Sequence, residues 1–177
     1  MTGFTPLSEE PVYDGWVISV VKGTFAGPNG ESFERDIVHH PGAVAIVAID
    51  GDEIVLVRQY RAAIDALLLE IPAGLRDIAD EPLEQTARRE LVEEVGLSAG
   101  SMELLTTIHN SAGFSDEAIA IFLATDLTPV ERELTDSPEE LAMETLRMTL
   151  GDAEAMINRG EITDAKTIIG VLAALRR

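Results

Sequence analysis

The chain has 177 residues, with 13 Lys+Arg against 32 Asp+Glu, a formal net charge of −19, and no cysteine. So acidic a surface repels nucleic-acid backbones and anionic membranes, and a small anionic ligand would need a metal ion or a few focused arginines to offset the field. Without cysteine there are no disulfides, thiol nucleophiles, zinc fingers or iron–sulfur ligands. The length and the 46% of hydrophobic residues suit one domain with a sizeable core.

Residues 1–11 contain Glu9 and Glu10, no Lys or Arg and no apolar run, so they do not read as a secretory signal. No segment is apolar for long enough to span a membrane, and a cytoplasmic protein is expected. Residues 16–25 predict a strand through Val17, Ile18, Val20, Val21 and Thr24. Gly27-Pro28-Asn29-Gly30 turns the chain into a second strand over 32–40, so 12–40 reads as a hairpin. The continuous apolar run 43–49 predicts a strand covered on both faces. Asp50-Gly51-Asp52 turns it into a strand over 53–60, and a shorter run over 66–71 ends at Pro72-Ala73-Gly74.

Residues 82–95 predict a helix, with Pro82 in a first-turn position, a stripe of Leu83, Ala87, Leu91 and Val95, and Gly96 as its cap. Strands follow over 102–108 and 118–124, separated by a polar loop over 109–117. Residues 128–140, rich in Pro, Asp and Glu, predict an exposed loop before a last strand over 141–148 and helices over 151–159 and 165–175. The predicted class is α+β, a sheet sandwiched by helices.

The helix over 82–95 carries the chemistry. At about 100° per residue, Glu90, Glu93 and Glu94 share one arc. Like charges at these spacings cost roughly 0.2–0.5 kcal/mol per pair, and they lie at the end of the helix that the dipole disfavours for anions. A cluster of hard oxygen ligands on a rigid element suits Mg²⁺, and Arg89, four residues before Glu93, is placed to hold it. The alternative is a glutamate-rich wet face of an amphipathic helix.

Gly74, Glu81 and the run Arg89-Glu90-Leu91-Val92-Glu93-Glu94-Val95-Gly96-Leu97 resemble the signature box of the Nudix hydrolases. One residue more than usual separates Gly74 from Glu81. Beyond the box, Gly42-Ala43-Val44-Ala45-Ile46-Val47, Arg58-Gln59-Tyr60-Arg61, Glu70-Ile71-Pro72-Ala73-Gly74, Ala112-Gly113-Phe114-Ser115-Asp116-Glu117 and Arg159-Gly160-Glu161-Ile162-Thr163-Asp164 are similar to the ADP-ribose pyrophosphatase branch.

The resemblance implies a Nudix-like α/β/α sandwich with a mixed sheet over 41–177, preceded by a dimerising N-terminal hairpin region over 1–40. It implies cleavage of the ADP-ribose pyrophosphate to AMP and ribose 5-phosphate with two or three Mg²⁺ or Mn²⁺ ions. Glu90 and Glu94 would be the principal ligands, with Glu93 direct or through water and the Ala73 carbonyl as a backbone ligand. The family places a base on a late loop, which here means Glu140, or Glu139 beside it; such loop glutamates are otherwise simply solvated.

For the substrate, Arg58 and Arg61 are phosphate candidates because arginine meets phosphate bidentately, unless they pair with nearby acids. Arg35 is a further phosphate candidate. Trp16 and Ile18 are candidates for an adenine pocket, with Trp16 alternatively in the core. Residues 114–117, with Ser115 and Glu117, resemble the loop that closes over the terminal ribose. His39, His40 and His109 show no metal spacing and receive no chemistry. The resembling branch forms homodimers in which the hairpin crosses to the second subunit. Competing expectations are another nucleoside diphosphate sugar such as GDP-mannose, a ligand-sensing module on the same fold, and a plain metal-binding acidic protein, which would leave the residues outside the helix unexplained.

Overall fold

The computed structural model describes residues 3–132 and 138–177, with the backbone alone for 139 and 140. The chain divides into two compact units, one of residues 1–42 and 109–118, the other of 43–108 and 119–177.

The larger unit is built on a mixed sheet. Its strands are β4 (Ala43–Asp50), β5 (Glu53–Arg61), β6 (Ala66–Glu70), β7 (Ala73–Leu75), β8 (Leu97–His109), β9 (Ala118–Pro129) and β10 (Glu144–Thr149). The order is β10-β5-β4-β9-β8, with β6 on β5 and β7 on β4. β4 runs parallel to β9 and antiparallel to β5 and β7.

Successive strand residues point to opposite faces, so a strand covered on both sides needs an unbroken apolar run. β4 follows this rule residue by residue. Ala43, Ala45 and Val47 pack with Leu56, Ile121 and Val171. Val44, Ile46 and Ala48 pack with Val55, Ala87 and Leu91. The first set faces α3 (Leu150–Asn158) and α4 (Ala165–Ala174), and the second faces α1 (Leu83–Val95). This is the expected sandwich.

The helix ends are set locally. Pro82 sits at the N-cap of α1, and Gly96 ends it in the left-handed region at φ 65°. Thr149 and Asp164 cap α3 and α4 by accepting the backbone N–H groups of Asp152 and Thr167. A short helix, α2 (Pro138–Leu141), stands where the sequence suggests loop, and the last strand begins three residues later than expected, at Glu144.

The smaller unit is a three-stranded antiparallel sheet in the order β1-β2-β3: β1 (Thr5–Asp14), β2 (Ser19–Ala26) and β3 (Ser32–His39). The hairpin is β2 and β3. β1 is an addition to that hairpin, and its Pro6 and Pro11 are tolerated because it is an edge strand. Trp16 therefore lies in the bend between β1 and β2 rather than in a strand. The segment 110–117 lies along β3: the Val38 N–H donates to the Phe114 carbonyl at 2.7 Å, and the Asp116 N–H to the Val38 carbonyl at 3.1 Å. Among the described residues, no helix is long and apolar enough to cross a membrane.

Candidate metal centre and phosphate-binding residues

Helix α1 brings Glu90 and Glu94 against β7 with both residues buried. Gly74 makes this possible. A Cβ on Gly74 would lie 1.9 Å from Glu90 Cδ, so only glycine leaves room for the carboxylate over the strand. The Ala73 N–H donates to Glu94 Oε2 at 3.0 Å. Burial pushes the Glu90 carboxyl up to about 7 and the Glu94 carboxyl up to about 8. Two desolvated carboxylates beside a backbone segment offer hard oxygen donors whose burial a divalent cation would relieve.

Arg89 organises the rest. Its Nη1 donates to Glu90 Oε1 at 2.8 Å and to Glu93 Oε2 at 3.0 Å. Its Nη2 donates to Asp77 Oδ1 at 2.9 Å and to Glu81 Oε2 at 3.3 Å. Burial opposes its charge, but Glu90, Glu81, Glu93 and Asp77 together hold the guanidinium above its ordinary pKa. The extra residue before Glu81 is taken up by a turn in which the Glu81 N–H meets the Ile78 carbonyl and Asp80 adopts φ 61°. Glu81 still reaches Arg89. Among the described residues, no three carboxylate or imidazole groups are gathered around one point. Arg89 holds Glu90 and Glu93, while Glu94 turns to Ala73.

Both arginines expected at phosphate are paired with acids. Arg58 donates to Glu144. Arg61 forms a two-pronged contact with Glu70 at 2.7 and 2.6 Å, and Glu70 is fully buried. The Arg61 side chain stays 42% exposed, and among the described residues its Nη1 makes no hydrogen bond to protein, so one edge of the guanidinium is available to an anion. The side chains of Glu139 and Glu140 lie outside the described residues.

The remaining candidates belong to the smaller unit. Arg35 lies 4.9 Å above the Phe33 ring and, with Ser115, Phe25 and Phe114, lines a cleft of about 410 Å³. Ile18 lines a separate recess with Gly15, His39 and His40. Trp16 is 99% exposed, which removes the core reading of that residue. Glu117 accepts from Asn110 Nδ2, and its own N–H donates to Ser115 Oγ at 3.2 Å.

The NUDIX domain family matches residues 38–168, which span the mixed sheet, the acidic helix and its glycine. This chain belongs to the Nudix family. Its relatives include an ADP-ribose pyrophosphatase of Bacillus subtilis (strain 168), 37% identical over 93% of this chain and 89% of that protein. An ADP-ribose pyrophosphatase of Mycobacterium tuberculosis (strain ATCC 25618 / H37Rv) is 40% identical over 96% of this chain and 82% of that protein. A solved structure titled an ADP compounds hydrolase superposes with a TM-score of 0.84 at 24% identity, covering 98% of this chain and 92% of that one, and so shares the fold.

Sequence reasoning missed two groupings. One is the set behind Arg61 of buried Glu70, Lys166 and Thr167 with the half-buried Asp164. Its signal was present: the sequence has two lysines, and one lies two residues beyond the stretch 159–164. The other is Asp77, whose role as an Arg89 partner depends on the path of a loop that has no periodicity.

Proposed function

We propose that this Nudix protein hydrolyses the pyrophosphate of ADP-ribose, adding water across the P–O–P bridge to give AMP and ribose 5-phosphate. The observation that carries the reading is the pair of buried carboxylates, Glu90 and Glu94, seated over Gly74 in a chain related to ADP-ribose pyrophosphatases. Glu90, Glu94, Glu93 and the Ala73 carbonyl would hold Mg²⁺ or Mn²⁺, two or three ions per site. Such ions polarise phosphoryl oxygens and lower the pKa of a nearby water. Arg89 keeps Glu90 and Glu93 oriented. Arg61 presents its remaining edge to a phosphate, with Arg58 a second contact. Glu140, or Glu139 beside it, takes the proton of the attacking water.

The protein acts in the cytoplasm as a homodimer. Support for the dimer comes from β1, whose ten residues are all exposed and include Leu7, Val12 and Tyr13. The region 1–40 is then the dimerising part and 41–177 the catalytic domain. Arg35, Trp16, Ile18, Ser115 and Glu117 serve the substrate, the first three from the hairpin region of the partner.

The test is turnover of ADP-ribose with Mg²⁺ beside GDP-mannose and UDP-glucose. Glu94→Gln keeps the shape of the side chain and removes its charge. Its kcat is expected to fall at least about 10²-fold, the scale of losing one preorganised electrostatic group. Full turnover by a folded Glu94→Gln protein would refute the metal assignment. Preference for GDP-mannose would replace the substrate but keep the chemistry.

A further inference from the structure

Behind Arg61 lies a buried ionic set that the hydrolytic chemistry does not itself require. Glu70, at the end of β6, is fully buried. Lys166, in the first turn of α4 and 8% exposed, donates to Glu70 Oε2 and, at 3.0 Å, to Asp164 Oδ1. Thr167 Oγ1 donates to Asp164 Oδ2 at 2.6 Å and accepts the Ile71 N–H at 2.8 Å.

The next residues are fixed in turn. The Pro72 carbonyl accepts the Ile46 N–H at 2.8 Å, and the Ala73 N–H donates to Glu94. Four successive residues, Glu70 to Ala73, are thus tied to other elements, Glu70 and Ile71 to α4, Pro72 to β4 and Ala73 to α1. The ties run from the start of α4 to the segment that meets the carboxylate helix. Glu70 also fixes two of the three guanidinium nitrogens of Arg61.

Burying an ion pair is a poor route to stability, because desolvation consumes most of the Coulomb gain and an apolar replacement is often neutral. Burying one of two lysines in so acidic a chain therefore calls for another reason. We propose that Lys166 is a positioning residue: through Glu70 it sets both the Arg61 fork for phosphate and the Ile71–Ala73 backbone for the metal site. The inference rests on the assignment of Arg61 and Ala73 made above.

Lys166→Met keeps the length of the side chain and removes its charge. Two readouts separate positioning from packing. One is Mn²⁺ binding to the enzyme without substrate, followed by the electron paramagnetic resonance of free Mn²⁺. The other is the division of any defect between KM for ADP-ribose and kcat. Partners one shell out from a metal site typically change metal affinity or activity by about 10- to 100-fold. We expect the Mn²⁺ dissociation constant and KM of Lys166→Met to rise by at least about 10-fold, with kcat less affected and the circular dichroism unchanged.

An unchanged Mn²⁺ constant and KM, with only the unfolding midpoint moved, would overturn the proposal. Should Lys166→Met fail to fold, Lys166→Leu, which likewise has no donor for Glu70, is read by the same two measurements and with the same consequences. If the unaltered protein neither binds Mn²⁺ nor cleaves ADP-ribose, the functional reading falls and this inference with it. An active unaltered protein beside unaffected variants refutes the role of Lys166 alone.

Discussion

Strands β4 and β1 are of similar length and are held by opposite means. In β4, six residues in a row, from Ala43 to Ala48, are buried, and each packs against a helix layer on one face or the other. In β1, all ten residues are exposed, and its place in the sheet comes from the backbone ladder to β2 and from Glu9, whose carboxylate meets His39 at 3.3 Å. The side chains of β4 specify it as a strand before any partner is considered. Those of β1 do not, since a sequence with two prolines and three acids becomes a strand only through the edge it pairs with. The apolar residues of β1, Leu7, Val12 and Tyr13, lie on the surface and take no part in this chain's core.

The sharpest test of that contrast is paired truncation. Ile46→Ala removes a fully buried side chain from between α1 and the sheet and should cost about 2–5 kcal/mol in denaturant unfolding. Val12→Ala, in β1, should stay within about 0.5 kcal/mol when measured in dilute protein. Equal costs at the two sites would mean that β1 is covered by its own chain.

A second test adds charge instead of removing volume. Val12→Asp should leave the unfolding midpoint of dilute protein nearly unmoved. At micromolar concentration, light scattering should shift toward 19.1 kDa, the mass of one chain, because a charge on an exposed strand blocks pairing between copies. If the unaltered protein already scatters as one chain, the dimer is refuted and the exposed residues of β1 need another account.

The same contrast explains what could be read from the sequence. The strands over 43–49 and 53–60, the helix over 82–95 with its Gly96 cap, and the two closing helices were legible because burial within one chain writes a periodic pattern. The acidic arc was legible because three glutamates on one face of a helix conflict with local helix energetics. Gly74 was legible only as one position of a motif; its physical role, room for Glu90, needs the packing of α1 on β7. Lys166 and Glu70 are 96 residues apart, and a pairing at that range leaves no local trace. β1 failed for the same kind of reason, since its partner strand and not its own composition decides its conformation.

The smallest effect follows from the ionic ties of the smaller unit. His39 Nδ1 meets Asp116 Oδ2 at 2.6 Å, Asp116 Oδ1 accepts the His40 N–H at 2.9 Å, and His39 Nε2 meets Glu9. One imidazole thus joins β3, the segment 110–117 and β1. Its hydrogen bond to Asp116 raises the His39 pKa above its ordinary value, and the same bond lowers that of Asp116. The His39 contribution is fully present below about pH 6.5 and is lost as pH rises through its raised value. The Asp116 contribution is present above about pH 3.9 and is lost as pH falls through its lowered value. The ties are therefore complete in mildly acidic solution and loosen as pH rises through the raised His39 value. Both side chains are more than one third exposed, so the change is held below about 1 kcal/mol by solvent screening. Hydrogen exchange at the Asp116 amide, which donates to the Val38 carbonyl, should lose protection by less than about fivefold between mildly acidic and alkaline solution after correction for intrinsic rates. The core amides of β4, which face no titrating imidazole, should hold theirs. In His39→Gln the pH dependence at Asp116 should flatten; if it persists unchanged, the segment is held by its backbone contacts to β3 and the imidazole contributes nothing.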